Sequence, residues 1–299
     1  KMVFPDGNAE PAGDDAFMVR TAQKMYHEIS PETGEFIDFM IDHELMDLQN
    51  KPGKASTGYM TSLPSLKAPF VFSCFNHTIF DMQVLTHELG HAFAGYMAMR
   101  SQPISDYYSE STDIAEIHSM AMEQFAYPYA EWFFGDQADK FRFAHLQEAL
   151  TFVPFGVAVD EFQHICYANP ELTPKERTYQ WHLLEEKYMP WRRYENDAFM
   201  ERGGYWYHKL HIYLYPFYYI NYTLTTMGAM EFKKKYAENK QAAWEDYLKL
   251  CKTGGSRSYL ETLRYADLAN PFEEGSVQRA CSYAEKILLE QIAAQEQQA

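Results

Sequence analysis

Leu85-Thr86-His87-Glu88-Leu89-Gly90-His91-Ala92-Phe93 holds the run His-Glu-Leu-Gly-His, two histidines four residues apart with a glutamate directly after the first. On a helix, positions i and i+4 share a face, so the His87 and His91 imidazoles can converge on one ion. Glu88 lies one residue round, where its carboxylate can reach a water held by that ion. Two neutral nitrogens with a position left open for water are what a catalytic zinc site needs. The flanks suit a helix: Val84, Leu85, Leu89 and Phe93 are apolar, and no proline interrupts residues 81–99.

So short a motif also arises by chance on ordinary amphipathic helices, and a third ligand has to be found. A third histidine six residues on is ruled out by Met97. The alternative is a glutamate on a second helix, and residues 109–123 read as that helix. Ser109, Ser111 or Thr112 can cap it, and acidic residues crowd its first turn, as the helix dipole favours. Glu116 sits one turn in, with 24 residues between it and His91. Glu123 follows two turns later on the same face.

The two motifs at this spacing, His-Glu-Leu-Gly-His and then Glu116-Ile117-His118-Ser119-Met120-Ala121-Met122-Glu123, closely resemble the thimet oligopeptidase and oligoendopeptidase F group of zinc peptidases. Oligoendopeptidase F is the nearer of the two. The resemblance implies that Glu116 is the third ligand of one zinc ion per chain. It also covers Gly53-Lys54, Gly58-Tyr59, Phe75-Asn76 and the Gly254-Gly255-Ser256 loop, and so runs from about residue 14 to 290. Group members usually carry a further helical lobe before the matched region. This chain begins at Lys1, and the expectation is a catalytic part whose substrate channel is completed by an amino-terminal lobe or a second chain.

Composition sets broader limits. With 299 residues, 46% of them apolar, the chain can bury a large core. A formal charge of -16 argues against nucleic acid and anionic membrane as partners. No apolar run approaches a membrane span, and no signal-peptide pattern is present. Cys74, Cys166, Cys251 and Cys281 are widely spaced and form no CxxC, so they read as reduced, mostly buried thiols in a cytoplasmic protein.

Along the chain, the periodicity predicts helices over residues 14–29 and 31–48, the second launched by Ser30 as cap and Pro31 at the first helical position. Residues 57–63 and 69–75 are short β-branched and aromatic runs and read as the only sheet. Lying just before the metal helix, it suits either a structural hairpin or a shelf whose open edge hydrogen-bonds an extended peptide. From Ser111 onward the pattern is helical. Helices are expected over 111–134, over 136–169 with a break or kink at Pro154-Phe155-Gly156, and over 173–188. A short piece to Met200 follows, then 205–235, 239–252, 257–268 and 276–296, the last capped by Ser276. Residues 295–299 form a polar tail.

The segment after Gly203-Gly204 is dense in hydroxyl-bearing aromatics. Such a stripe on a helix is commonly half-buried packing. Beside a zinc hydrolase site it offers donors to the oxyanion formed when an amide carbonyl is attacked. Tyr215, Tyr218 and Tyr222 share a helical face by spacings of three, four and seven. His211 and residues 217–222 resemble the aromatic block of oligoendopeptidase F relatives, with Ile220 where a tyrosine often stands. Tyr222 is ranked first for this role, then Tyr215 and His211, with His208 in reserve. Asp81 and Glu123 are candidates to orient a zinc ligand. His77 and His118 read as supporting or packing residues, and His27, His43, His145, His164 and His182 as ordinary helix histidines.

The expected fold is therefore mainly α, a multi-helix zincin-like metallopeptidase domain with a small β-sheet next to the His-Glu-Leu-Gly-His helix. The expected activity is zinc-dependent peptide hydrolysis with Glu88 as the base, and the resemblance implies internal bonds of short, unstructured peptides as the substrate class. A zinc carboxypeptidase on a related helical scaffold and a catalytically incomplete peptide-binding domain are the alternatives.

Overall fold

The computed structural model describes residue 4, residues 6–55 and residues 57–296. The polar tail expected over 295–299 falls mostly outside them. Two short helices come first, α1 (Asp15–Ile29) and α2 (Pro31–Asp42). Ser30 both ends α1 and caps α2, its hydroxyl accepting from the Thr33 backbone N–H while Thr33 returns the bond. α2 stops six residues earlier than the periodicity predicts. Glu44 takes a left-handed conformation (φ 53°), and the Leu45 N–H reaches back to the Met40 carbonyl at 2.9 Å. This is a Schellman-type stop made without the usual glycine.

The freed residues form β1 (Met46–Asp47), a strand the sequence reading missed, which pairs in parallel with β3 (Ala68–Phe72). β2 (Tyr59–Leu63) pairs antiparallel with β3 on its other side, giving the order β1-β3-β2. Among the described residues no strand pairs with the outer side of β2, which is thus an edge strand. α3 (Phe80–Ser101) lies against β3 and β2 and is buried over most of its circumference, Leu85, Leu89, Ala92 and Phe93 included.

α4 (Thr112–Ala126) packs chiefly on α3 and on α10 (Ile220–Glu238). It ends eight residues short of the predicted Phe134, because Pro128 cannot continue its hydrogen-bond ladder. A single 3-10 turn leads into α5 (Ala130–Phe134). α6 (Ala138–Ala168) starts after Gln137, not after Asp136, and runs unbroken through Pro154. α7 (Pro174–Tyr188) is capped by Thr173, with Glu176 closing a capping box. α8 (Ala198–Glu201) is one turn.

The aromatic segment is not the continuous helix of the prediction. It consists of a 3-10 turn at Gly204–His208, then α9 (Leu210–Leu214), then a break before α10. Pro216 and the left-handed Phe217 (φ 63°) make that break. α11 (Lys240–Thr253), α12 (Tyr259–Tyr265) and α13 (Ser276–Glu296) complete the chain. Ser276 does not cap α13; its hydroxyl donates to the Pro271 carbonyl instead.

The main core lies between α1–α4 and α10–α12, where Phe36, Phe93, Phe125, Phe232 and Tyr247 are fully buried, each such side chain contributing about 2–3 kcal/mol. A second apolar cluster joins the carboxy-terminal half of α6 to α7 and the 205–219 segment around Phe162, Trp181 and Trp206. The four cysteines are free; only Cys251 is buried, and the other three are half-buried, more open than expected. Among the described residues no helix is long and apolar enough to cross a membrane.

Candidate active site

α3 and α4 cross closely at Gly90, the residue between Leu89 and His91 in the motif. A Cβ there would stand 2.7 Å from Ser119 Cα and 2.9 Å from Met122 Cβ. Only glycine lets the two helices approach this far. Ser119 and Glu116 are one turn apart on α4, so the close crossing carries the Glu116 carboxylate to the imidazoles of α3.

His87 Nε2 lies 3.1 Å and His91 Nε2 3.4 Å from Glu116 Oε2. Among the described residues, these three side chains form the group able to hold a metal ion. Tetrahedral zinc with bonds of about 2.0–2.1 Å sets its ligand atoms about 3.3 Å apart, so the donor set and its spacing fit zinc. Burial works to raise the Glu116 carboxyl, but hydrogen bonds and charge from His87 and His91 outweigh it and hold the group well below the usual carboxylate range. Burial likewise works to lower His87, and its bonds to Glu116 and Glu123 reverse the sign, leaving it well above an ordinary histidine.

Glu123 occupies the place expected of it. His87 Nδ1–H donates to its Oε1 at 2.6 Å, which fixes the tautomer and leaves Nε2 facing Glu116. Its other oxygen accepts from His145 Nε2 at 2.6 Å. That contact was not legible, since His145 comes from α6 and no local motif marks it. Asp81, the other candidate, does not touch a ligand. Its carboxylate accepts from the Asn76 and His77 backbone N–H groups and anchors the entry to α3.

Glu88 is buried, and among the described residues its Oε2 has no hydrogen-bond partner. Burial raises its carboxyl above the ordinary value, partly offset by His87 and His91. A Cβ on Gly58 would come within 2.9 Å of Glu88 Oε1, so that glycine makes room for the carboxylate. Gly58, Tyr59, Met60 and Ser62 line a cavity of about 370 Å³ together with His87, Glu88, His91 and Glu116. The free edge of β2 therefore borders the metal group. Tyr108 and Glu110, which the sequence reading did not single out, line the far side with Ser109, read there only as a helix cap. Buried His118 supports this loop, its Nδ1 lying 3.0 Å from Glu110 Oε1. Gly254 and Gly255 face the same loop, close against the Tyr107 and Ser109 carbonyls, so this pair serves backbone packing.

Of the aromatic candidates, Tyr222 lines the metal cavity. Burial, its bond to Tyr218 and the charge of Glu116 all push the hydroxyl upward, so it stays a protonated donor. It donates to the Tyr218 hydroxyl at 3.4 Å. The His211 ring lies 6.0 Å from both Tyr218 and Tyr222. Tyr215 lies before α10 and not on it, is 60% exposed and does not line the cavity. The face shared by Tyr215 and Tyr222 in the prediction is removed by the break at Pro216. His208 sits on Tyr205, ring to ring at 4.3 Å.

Residues 20–281 match the profile of peptidase family M3. The chain belongs to that family. An oligoendopeptidase F homolog of Borreliella burgdorferi is 26% identical over 229 residues, covering 75% of this chain and 38% of that protein. Oligopeptidase PepF of Bacillus subtilis is 22% identical over 259 residues, covering 83% of this chain and 37% of that protein. The structure of PZ peptidase A with an inhibitor is 49% identical, with a TM-score of 0.90 over 96% of this chain and 51% of that one. This M3 chain thus spans less than two fifths of the curated relatives and about half of the solved structure. Metallopeptidases of family M3 use zinc, and the His87–His91–Glu116 group is the candidate place for it here.

Proposed function

We propose that this chain is the catalytic part of a zinc-dependent endopeptidase that cuts internal bonds of short, unstructured peptides. A further lobe, on the same polypeptide or a second one, would complete its substrate channel. The observation that carries this reading is the convergence of His87, His91 and Glu116 beside a buried, unpartnered Glu88 carboxylate, under the free edge of β2.

His87, His91 and Glu116 would hold one zinc ion, the cation replacing the proton that His87 Nε2 otherwise shares with Glu116. When bound, zinc supplies Lewis acidity toward water and the scissile carbonyl. Glu123 keeps the His87 ring oriented. Glu88 takes a proton from the attacking water at its carboxylate and returns it to the leaving amine, a role that its raised pKa suits. The β2 backbone from Gly58 to Ser62 would add an extended peptide as a further strand. The Tyr222 hydroxyl would donate to the carbonyl oxygen as it gains charge, with Tyr218 and His211 behind it.

The test is a mixed peptide library, incubated with and without a chelator and read by mass spectrometry. The proposal expects cuts well inside the peptides that disappear on chelation. Removal of single residues from the carboxyl end would support a carboxypeptidase instead, and peptide binding with no turnover would support a binding domain.

A further inference from the structure

A larger cavity, about 700 Å³, lies on the other side of the aromatic wall from the metal group. Phe152 and Tyr219 line it and pack on Tyr222, with ring centroids 6.3 and 5.5 Å away, while Tyr222 lines the metal cavity. Gln83, which also lines the larger space, is one helical turn before His87 on α3, about 6 Å along the axis. An extended peptide covers that distance in about two residues.

Two cations face this space. Lys209 Nζ lies 4.9 Å and Arg192 Cζ 5.0 Å from the centre of the same Phe155 ring, with Tyr219 and Tyr205 beneath them. Arg192 reaches Glu185 through one nitrogen at 3.4 Å, leaving its other N–H donors available. Among the described residues Lys209 has no carboxylate or carbonyl within bonding reach. Glu148 lines the cavity close enough to feel the Lys209 charge but forms no ion pair with it. Burial, and then the charge of Arg192, lower the Lys209 ammonium below its ordinary value. Two half-buried cations over one Phe155 ring, close enough for the Arg192 charge to act on Lys209 and with a cavity in front, are poorly stabilised by the protein alone. An anion that accepted from both would relieve the repulsion and the desolvation together.

We infer that Lys209 and Arg192 form a subsite for a carboxylate of the bound peptide, either its carboxy terminus or an acidic side chain, a few residues from the scissile bond. The inference rests on the peptidase reading for the identity of the ligand. A fixed carboxylate anchor at that distance would act as a ruler, favouring peptides whose charge falls in reach when the scissile bond lies over the metal group.

The test reads binding, so that it does not depend on turnover. Short peptides labelled at the amino end are titrated into zinc-loaded Glu88→Gln chain by fluorescence polarisation. Each peptide is made as free acid and amide, and with Asp or Asn at internal positions. The expected result is a loss of about tenfold or more in affinity when the responsible carboxylate is neutralised. A loss on amidation assigns the terminus, and a loss on Asp-to-Asn exchange assigns a side chain. Lys209→Met keeps the aliphatic stem over Phe155 and Tyr219 and should erase the difference, while Lys209→Arg should retain it. Lys209→Gln gives an independent reading if the methionine variant melts early. Unchanged affinity after both neutralisations, or a difference that persists in Lys209→Met and Arg192→Met, overturns the subsite. Library cleavage with no carboxylate effect leaves the peptidase reading standing and the subsite refuted. A carboxylate effect without any cleavage does the reverse.

Discussion

Gly90→Ala tests how the metal group is built. The added Cβ would meet Ser119 Cα at 2.7 Å, Met122 Cβ at 2.9 Å and the His118 carbonyl oxygen at 3.0 Å. Carbon contacts relax at about 3.5–4.0 Å, so α3 and α4 must part by about 0.8–1.3 Å. None of the three atoms is the far end of a flexible side chain, and two belong to the α4 backbone. Overpacking of this kind costs about 1–3 kcal/mol, offset by about 1 kcal/mol of helix propensity gained over glycine. The net loss of stability is then modest, about 0–2 kcal/mol. The ligand geometry suffers more. Parting the helices carries Glu116 Oε2 from 3.1 and 3.4 Å toward about 4 Å from the imidazole nitrogens, beyond the ±0.2 Å or so that zinc bonds tolerate. Zinc affinity should fall at least about ten- to a hundredfold, as when supporting contacts of a metal site are lost. The assay is competition with a fluorescent zinc chelator, with thermal melts of the metal-free protein run beside it. Gly95→Ala, on the same helix with nearest neighbours at 3.5 and 3.6 Å, is the control and should keep its zinc. Gly90→Ala zinc affinity within about twofold of the parent would show that the close crossing does not set the ligand geometry.

Five further substitutions address single roles. Glu88→Gln should retain near-stoichiometric zinc while hydrolysis falls at least about a hundredfold; zinc loss or near-normal turnover would remove Glu88 as the base. Glu116→Ala should strip the metal in a metal-content assay, whereas Glu123→Ala should cost about ten- to a hundredfold in affinity or activity. The reverse ranking would mean that Glu123 is the ligand. Tyr222→Phe should lower kcat about ten- to a thousandfold with KM little altered, and Tyr215→Phe, exposed and outside the cavity, should leave both near the parent values. Equal effects would place the charge-stabilising donor elsewhere.

The metal group was legible because each of its parts is local. Two histidines and two glutamates stand at helical spacings on α3 and α4, and helices that regular keep their register in the folded protein. What joins the parts is tertiary and left no periodic trace. His145 reaches Glu123 across 22 positions, from a helix that reads as ordinary. The reason for Gly90 appears only once α4 is in place. The misplaced helix ends have a different cause. Glu44 adopts a left-handed turn that the pattern assigns to glycine, so α2 was carried too far. At Pro216 the opposite holds: the breaking residue stands in the sequence, and its missing backbone donor overrides the helical spacing of the tyrosines. Pro154 warns against the converse rule, since α6 accommodates it without a break.

α6 ties the molecule together in a way that bears on how it comes apart. Its first turns belong to the main core through Ala138 and Phe141, and the stretch from Phe155 to Phe162, in its carboxy-terminal half, belongs to the second cluster with α7 and the 205–219 segment. Pro154 stands at the boundary, where the helix lacks one amide donor. The second cluster is therefore tied to the rest through α6, through the chain that enters α10 at Ile220, and through the packing of α6 on α10, where Gly156 meets Thr223 and Phe152 meets Tyr222. It is positioned to open as a cooperative unit below the cost of global unfolding. In native-state hydrogen exchange, the amides of α7 would then exchange together and ahead of those of α3 and α4. Exchange at equal free energies would show a single cooperative body. Such an opening would swing Lys209, Arg192 and Tyr219 away while His87, His91 and Glu116 stayed in place, so that the peptide-facing wall breathes and the metal-binding floor does not.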